Sequence, residues 1–415
     1  MTLGTFSIGI GDRFGLQGVY QLRAVQQAAA AGVEVSPVWN KSQREHAIIG
    51  TTPEDTRREA DASVREAGWR GAYFVDADHI GADTVGRFLG ASDFFTIDVA
   101  EFIGSQAPPG ATRDFTEAMR PFAGEIRLPG LAAPVRADAA VLGAVAARYL
   151  NAVQEAGRVY RRIREGRTRE FIAEVSLDES NLPQSAGELF FILGALAREK
   201  IPLGTIAPKF TGAFLKGVDY VGDTEAFARQ FEEDLAVVAF AREAFGLPAG
   251  LKLSVHTGSD KFSLYPLMHR ALRRLGAGLH LKTAGTTWVE EVVSLAEAGG
   301  EGLRAANAIY ARSFERLDEL CSPYRQVIAI ERRNLPSPSD VARWPADKFA
   351  RALRHEPGPN GFNRDIRQLV HVGYRIAAEM GDGFTSLVRE HAERVGANVA
   401  DNLYRKHIVP LFIGP

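Results

Sequence analysis

Eight short apolar runs, separated by helix-like stretches, constrain this chain more than any other feature of its sequence. Each run is rich in β-branched or aromatic residues, and most begin beside Gly or Pro, as buried strands do. The intervening segments 19–32 and 226–246 carry apolar residues at helical spacing. Alternating strands and helices predict a parallel sheet, and eight repeats favour a closed barrel. The runs are 5–11, 33–39, 71–77, 93–99, 170–176, 202–208, 250–256 and 278–284.

The predicted fold class is α/β, a (β/α)8 TIM-like barrel with two additions. The barrel domain is expected over 1–286, with a helical insertion at about 100–169, because some seventy residues separate the fourth run from the fifth. A mostly helical extension, 287–415, is expected to pack on the barrel. Within it, 326–332 fits a ninth strand or a buried helix segment equally well.

Composition narrows the class of protein. The chain has 415 residues, 49 Lys and Arg against 51 Asp and Glu, and no basic surplus that would indicate a nucleic-acid partner. Its single cysteine, Cys321, allows no intrachain disulfide, so a metal would have to be held by His and carboxylates. The first thirteen residues are typical of a strand rather than a signal peptide, and no apolar stretch would span a membrane. We expect a cytoplasmic protein.

Polar residues gather where the predicted strands end, which is where barrel enzymes carry their chemistry. Side-chain alternation places Lys252 and His256 on one face of their strand, and His280 and Lys282 on one face of theirs. The opposite faces are apolar and suit the outside of a barrel, so the polar set points inward, where unpaired burial is costly. His79, His256 and His280 are therefore candidate ligands for one divalent ion. A lone buried histidine bonded to a carbonyl is the alternative for each.

The same strand ends carry carboxylates and cations. Glu174 and Glu179 are candidates for general acid–base work, and Asp78 could contact an ion, a substrate or a helix terminus. For each of these carboxylates, a salt bridge to a strand-end lysine is an equally good interpretation. The candidate substrate-binding residues are Arg13, Lys41, Arg44, Lys209, Asp260 and Lys282, of which Lys209 and Lys282 are favoured for contact with a substrate anion.

Several strings along the chain resemble the tagaturonate epimerase family. Among them are SIGIGDRFG, PVWNKSQREHAIIG and LKLSVHTGSDKFS, and the similarity extends through nearly the whole sequence. The matching segments are 7–15, 37–50, 73–80, 174–180, 208–223, 251–263 and 367–381.

The resemblance implies an isomerase that interconverts D-tagaturonate and D-fructuronate in hexuronate breakdown. It implies one divalent ion of Mn, Zn, Ni, Fe or Co, with His79, His256 and His280 at metal positions. Asp78 and Glu179 fit its acid–base positions, with Glu174 the rival to Glu179. The substrate would be a small sugar acid. Whether the protein forms a homo-oligomer is left open. The late helices could close the barrel, form a dimer surface or lend His371 to the site.

The chemistry of that reaction favours one mechanism. The inverted carbon lies β to the ketone, so its proton is not acidified and enolisation cannot invert it; retro-aldol cleavage and re-addition can. Transient oxidation would need a hydride acceptor, and no Gly-rich nucleotide motif follows a strand. Three alternatives remain open: a tagatose/fructose 4-epimerase, a metal-dependent sugar-acid aldolase, and a sugar-acid binding protein without catalysis.

Overall fold

The computed structural model describes residues 1–283, 286–356 and 361–414, and at its centre lies a closed barrel of eight parallel strands. Neighbouring strands pair in chain order and the first pairs with the last. Every predicted run forms one of these strands, so the predicted barrel is confirmed. The strands are β1 (Phe6–Ile10), β2 (Val35–Ser42), β3 (Phe74–Ile80), β4 (Phe94–Asp98), β5 (Ile172–Ser176), β6 (Leu203–Ala207), β7 (Lys252–His256) and β8 (Leu279–Lys282).

Helices connect most of these strands around the outside of the barrel. Capping boxes begin several of them, for example at Ser42 with Glu45 and at Ser185 with Glu188, and left-handed glycines such as Gly246 and Gly276 end others. Between β3 and β4 the described chain forms only the 3-10 turn Val85–Arg87. The connecting helices are Gly18–Ala30, Gln43–Ile49, Pro53–Ala67, Leu150–Gly166, Ala186–Arg198, Thr224–Phe245, Tyr265–Leu275 and Thr286–Ala298.

The long connection after β4 contains the predicted helical insertion. Its last helix, Leu150–Gly166, packs against β4 and against Ala186–Arg198, so it takes the position of the fourth barrel helix. The added elements therefore end at Tyr149. They are Ala100–Phe102, Pro109–Met119, Arg120–Phe122, a small antiparallel pair of strands (Gly124–Ile126 and Val135–Ala137) and Ala139–Arg148.

The C-terminal part is helical, as predicted, and has its own apolar core around Trp288, Tyr310 and Phe384. Segment 326–332 is neither of the two predicted alternatives, since it forms a turn, an irregular stretch and the start of a 3-10 turn. No described helix is both long and apolar enough to cross a membrane. The elements are Gly300–Glu315, Leu317–Cys321, Ser322–Tyr324, Arg332–Asn334, Pro338–Val341, Ala346–Leu353, Arg364–Val372, Tyr374–Met380, Asp382–Glu390, Ala392–Asp401 and the π-helical Asn402–Ile413.

The interior of the barrel is layered. An apolar floor at the amino ends of the strands includes Leu3, Phe74 and Phe94. Above it lie buried polar side chains such as Thr96, Thr205 and Glu174, and the carboxyl ends of the strands open beyond them. The floor closes one end of the barrel, so a ligand reaches the polar layer from the carboxyl ends.

Candidate active site

Two of the three predicted metal histidines meet at the carboxyl ends of the strands. The ring centroids of His79, on β3, and His256, on β7, lie 5.2 Å apart. Each ring has one nitrogen bound by a carboxylate and the other directed toward a second carboxylate. We name this group, His79, Asp98, Glu174, Asp178 and His256, the strand-end cluster.

An irregularity in β3 brings His79 into the cluster. The pairing register with β4 shifts between Ala77 and Ile80, and His79 has a φ of 51°, which is uncommon for a residue with a side chain. An extended strand would point Asp78 and His79 apart, but here His79 Nε2 lies 3.9 Å from Asp78 Oδ1. The other ring nitrogen, Nδ1, lies 2.8 Å from Asp98 Oδ2. Strain of this kind concentrates at functional sites.

Buried Glu174 fixes the orientation of His256. The Nε2 of His256 lies 2.8 Å from Glu174 Oε1, while Nδ1 lies 3.2 Å from Asp178 Oδ2. Thr205 donates a hydrogen bond of 2.6 Å to the other Glu174 oxygen. The Glu174 carboxylate is fully buried and bonded on both oxygens, a geometry that suits positioning of His256 better than the acid–base work considered from the sequence.

The donor atoms fit a divalent ion. One ligand atom from each of His79, Asp178 and His256 lies within 4.8 Å of the others, and the same holds for His79, Asp98 and Glu179. Carboxylates that bind the far nitrogen of an imidazole, as Asp98 and Glu174 do, are characteristic of histidines that ligate metals. Side chains of His79 and Asp178 are 24% and 23% exposed, so an ion and a substrate can reach them from solvent.

Charge in the cluster is consistent with a cation. Burial alone would lower the pKa of both histidines, but Asp78 and Asp98 raise the pKa of His79 to about 10. Asp178 and Glu174 likewise raise the pKa of His256 to about 9. Without an ion, two imidazolium protons therefore compensate the surrounding carboxylates, and a divalent cation would supply the same charge.

Lys282 lies beside the cluster but is not available to a substrate anion, contrary to the prediction. Its ammonium is 2.8 Å from Asp76 Oδ2, 2.8 Å from Asp78 Oδ1 and 2.6 Å from Thr96 Oγ1. These partners use all three donors. The carboxylates raise the pKa of Lys282 far above its usual value despite burial, so it stays charged.

Two further carboxylates, Asp78 and Glu179, flank His79, and their pKa values are shifted in opposite directions. Burial would raise the pKa of Asp78, but the Lys282 ammonium and the His79 imidazole lower it to about 2. Glu179 is exposed in the cleft, and incomplete hydration raises its pKa, an effect that His79 only partly offsets. Two titratable groups with pKa values pushed apart suit the roles of base and acid.

The third predicted metal ligand, His280, lies one layer deeper. It is level with Ser7 and Ser254, whereas its neighbour in alternation, Lys282, is level with His256. Its Nδ1 forms a 2.9 Å hydrogen bond with Ser7 Oγ, and its ring lies 5.2 Å from that of Phe94 in the apolar floor. Burial lowers its pKa to about 3. The structure does not bring His280 into either ligand group. Of the inward-facing residues His280 and Lys282, only Lys282 lies at the carboxyl end of β8.

Asp260 is also not where the prediction placed it. Its Oδ2 lies 2.6 Å from Arg367 Nη2 and 3.1 Å from His355 Nδ1, and its Oδ1 lies 3.4 Å from His407 Nε2. Arg367 holds the pKa of the buried carboxyl far below its usual range. We name Asp260, His355, Arg367 and His407 the Asp260 cluster. It joins the barrel to the C-terminal helices, a structural position for Asp260 rather than one in the strand-end cluster.

The remaining predicted cations lie around the cleft. Arg13 is buried, with Nε 3.2 Å from Glu45 Oε1, and buried Lys41 approaches Glu59 at 4.0 Å. Arg44 is exposed and donates to the Pro323 carbonyl at 3.5 Å. Lys209 is half-buried; its backbone N–H donates to Gln184 Oε1 at 2.6 Å. Of these four cations, all within the described part of the chain, only Arg13 has side-chain donors that are both buried and unpartnered.

Three functional candidates were not assigned from the sequence. Asp98 and Asp178 were recognisable as strand-end carboxylates, but their pairing with histidines depends on the register of distant strands. Lys216 lies nine residues beyond the end of β6, outside the strand-end pattern. Its ammonium lies 3.8 Å from where a Cβ of Gly258 would be, beside the end of the His256 strand.

Comparison with known proteins agrees with the fold and with the resemblance. A family model described as tagaturonate epimerase matches residues 1–408. The tagaturonate/fructuronate epimerase of Thermotoga maritima is 27% identical over 381 residues, which span 89% of this chain and 72% of that protein. A glycerol-bound crystal structure of the fructuronate-tagaturonate epimerase of Cohnella laeviribosi is 25% identical, with a TM-score of 0.80, over 99% of this chain and 82% of that one. The native structure of the latter enzyme gives a TM-score of 0.81 at 24% identity, with the same coverage. This chain belongs to the tagaturonate epimerase family.

Proposed function

We propose that the protein is a divalent-metal-dependent epimerase that interconverts D-tagaturonate and D-fructuronate by retro-aldol cleavage and re-addition. The observation that carries the proposal is the strand-end cluster, in which His79 and His256 each have one nitrogen bound by a carboxylate and the other directed toward a second carboxylate, Asp78 or Asp178. Family membership supports the reaction and the substrate class.

His79, Asp178 and His256 would hold the ion, with Asp98 and Glu174 orienting the two imidazoles. This assignment replaces His280 with Asp178. A divalent ion there would act as a Lewis acid toward the ketone and hydroxyl oxygens of the sugar. Asp78, held by Lys282 close to His79, stays ionised and faces the same space.

The proton transfers fall to Asp78 and Glu179. In one direction Asp78 accepts the proton of the β-hydroxyl, and the bond between that carbon and its neighbour breaks, its electron pair passing to the ketone side. The resulting aldehyde turns its other face, the enolate carbon attacks it, and Glu179 donates a proton to the new hydroxyl. Asp78 ends protonated and Glu179 ionised, and proton exchange with water restores both before the next turnover.

The reaction can be tested by using nuclear magnetic resonance to follow the conversion of D-tagaturonate to D-fructuronate. Protein stripped by a chelator should be inactive, and adding back Mn²⁺, Zn²⁺, Ni²⁺, Co²⁺ or Fe²⁺ in turn should restore epimerisation. Release of three-carbon fragments as the final products would favour the aldolase. A preference for D-tagatose over D-tagaturonate would favour the ketohexose epimerase. Binding of the sugar acid without conversion would favour the non-catalytic binding protein.

Deuterium at the inverted carbon separates the two mechanisms. Retro-aldol chemistry never breaks that carbon–hydrogen bond, so the label should be retained and the rate nearly unchanged. Transient oxidation would break it and slow the reaction by a primary isotope effect. A large isotope effect on turnover would therefore overturn the retro-aldol route while leaving the epimerase assignment intact.

A further inference from the structure

A second group of polar side chains, with donors that are incompletely used, lies beside the strand-end cluster on the side of the C-terminal helices. It comprises Arg13 after β1, Lys216 in the loop after β6, and His371 on helix Arg364–Val372. Three elements far apart in sequence therefore contribute to it. None of the three roles assigned above, ion binding, proton transfer or histidine orientation, uses these side chains.

The C-terminal part of the chain holds Lys216 in place. Its backbone N–H donates to the Val327 carbonyl at 2.8 Å, and its own carbonyl accepts from Gln368 Nε2 at 2.9 Å. The next residue, Gly217, has a φ of +76°, and a Cβ there would lie 3.5 Å from the Cβ of His371. The loop that carries Lys216 therefore packs closely on the helix that carries His371, and the Lys216 ammonium lies within electrostatic range of the imidazole.

Two tyrosines support the cations from one side. The Arg13 guanidinium lies 4.3 Å from the ring centroid of Tyr374, and the Lys216 ammonium lies 5.5 Å from that of Tyr324. The two tyrosine hydroxyls are 2.8 Å apart. Because the tyrosines are joined, the two positive groups are held near one another on a common aromatic wall.

The donors of this group are incompletely used. In the described part of the chain, Lys216 has no carboxylate partner, and Arg13 Nε and Nη1 have no hydrogen-bond acceptor, although Glu45 lies 3.2 Å from that Nε. His371 is 1% exposed, and both of its ring nitrogens lack a partner. Buried donors of this kind are normally satisfied, so their convergence indicates a ligand.

The electrostatics of the group favour an anion. Burial lowers the pKa of Lys216, and the Arg13 guanidinium lowers it further. Burial, Arg13 and Lys216 together hold the pKa of His371 far below its usual value, so its imidazole is neutral and offers one N–H. Asp78 and Glu179 act on Lys216 in the opposite sense, which places the ammonium within electrostatic range of the proton-transfer pair.

We propose that Lys216, Arg13 and His371 bind the carboxylate of the sugar-acid substrate. The inference rests on the proposed function, because it takes the substrate to be a uronate with its reacting carbons at the strand-end cluster. The ammonium and guanidinium provide charge-assisted hydrogen bonds and the neutral imidazole provides a third donor. The subsite selects a uronate over a neutral ketohexose, and the C-terminal helices are required for it.

Lys216→Met is the first test, with kcat/KM measured on D-tagaturonate and on D-tagatose. Loss of one charge-assisted hydrogen bond should lower kcat/KM for tagaturonate roughly ten- to a hundredfold. The value for tagatose should change less than about threefold. Lys216→Arg should recover part of the uronate activity, because it keeps the charge. Lys200→Met is the matched control, since Lys200 is exposed just before β6 at the opposite end of the barrel.

Equal losses on both sugars would overturn the subsite and leave Lys216 a structural role. A wild-type preference for tagatose, with Lys216→Met unchanged on either sugar, would do the same. A larger loss on a six-carbon sugar phosphate than on tagaturonate would identify the anion as phosphate and contradict the carboxylate assignment.

Calorimetric titration separates failure of the subsite from failure of the proposed function, because it reports binding whether or not the sugar is converted. The full-length wild-type protein should bind D-tagaturonate more tightly than D-tagatose, and Lys216→Met should remove that difference. That result with no epimerisation would sustain the subsite and defeat the epimerase. Epimerisation with no loss of binding in Lys216→Met would defeat the subsite alone.

Discussion

The strand-end cluster and the Asp260 cluster contain the same residue types, buried histidines and carboxylates, yet they are built differently. In the Asp260 cluster, Arg367, His355 and His407 all converge on one carboxylate. In the strand-end cluster, carboxylates surround two imidazoles, each with a close carboxylate at one nitrogen and a more distant one near the other. The first arrangement neutralises itself, whereas the second brings together the donor atoms and the negative charge that a cation needs.

The difference shows that partner geometry, rather than residue type, separates a structural cluster from a reactive one. Arg367 is buried and neutralises Asp260, so nothing further is needed there. His79 instead has a left-handed backbone conformation and a ring that remains partly exposed. Strain and solvent access together are characteristic of a site that binds something.

Replacing a histidine of the strand-end cluster should have the largest effect. We expect His79→Ala and His256→Ala to lose the bound ion and to lower turnover about 10⁴-fold, since Lewis-acid stabilisation contributes several kcal/mol. Ion content by mass spectrometry and kcat on D-tagaturonate measure this. His280→Gln is the control, and it should retain the ion. Ion loss in His280→Gln with retention in His79→Ala would restore the ligand set predicted from sequence.

Replacing Asp260 should damage stability instead. Asp260→Ala leaves the buried Arg367 guanidinium without its carboxylate, and breaking such a pair costs about 3–5 kcal/mol. The free energy of unfolding from urea titration should fall by that amount, while the folded fraction keeps its ion. A stable Asp260→Ala protein that has lost substrate affinity would make Asp260 a binding residue after all.

Substitutions of Glu179 and Glu174 should affect different measured quantities, turnover for Glu179 and ion affinity for Glu174. Glu179→Gln should retain the ion and lower kcat about 10²–10³-fold, the scale of general acid–base catalysis. Glu174→Gln should weaken ion affinity about 10- to 100-fold, because the amide no longer orients His256 as a carboxylate does. Calorimetric ion titration and kcat at saturating ion measure the two effects. Full activity of Glu179→Gln at saturating ion would remove it from the proton-transfer pair.

The smallest effect concerns pH in the ion-free protein. The folded pKa values of His79 and His256, about 10 and about 9, lie above the ordinary value of 6.5. Their stabilising contribution is therefore complete below about pH 6.5 and is lost as the pH rises through 9 to 10. Urea unfolding should show falling stability across that range, with a shallower fall in His79→Gln. Ion affinity should rise with pH over the same range, because binding displaces these protons.

Much of the fold was predictable from local patterns. All eight strands came from short apolar runs bounded by turn residues, because burial on the outer face of a barrel strand leaves a clear signal. Strand-end residues such as His79, His256 and Glu179 followed from the rule that chemistry lies at the carboxyl ends. These inferences need only the sequence around one strand.

The contacts that the sequence did not reveal join parts of the chain that are far apart or depend on an irregular strand. The bulge at His79 produces no recognisable pattern in the sequence, so the closeness of the His79 and Asp78 side chains could not be predicted. The depth of His280 depends on its register with Ser7 on β1, 273 residues away. Asp260 looked like a strand-end ligand because its partner Arg367 lies 107 residues later. The ion pairs of Lys282 were hidden for the same reason, since Asp76 and Asp78 belong to another strand.

The central claim is that the strand-end cluster holds the ion on which epimerisation depends. Titration of chelated, ion-free protein with Mn²⁺ or Zn²⁺, with D-tagaturonate conversion followed in parallel, tests it most directly. The account predicts that activity rises linearly and saturates at about one ion per chain. It also predicts that Asp178→Asn needs about 10- to 100-fold more ion to reach half activity, while His280→Gln titrates like the wild type. Full turnover by the ion-free protein would contradict the account.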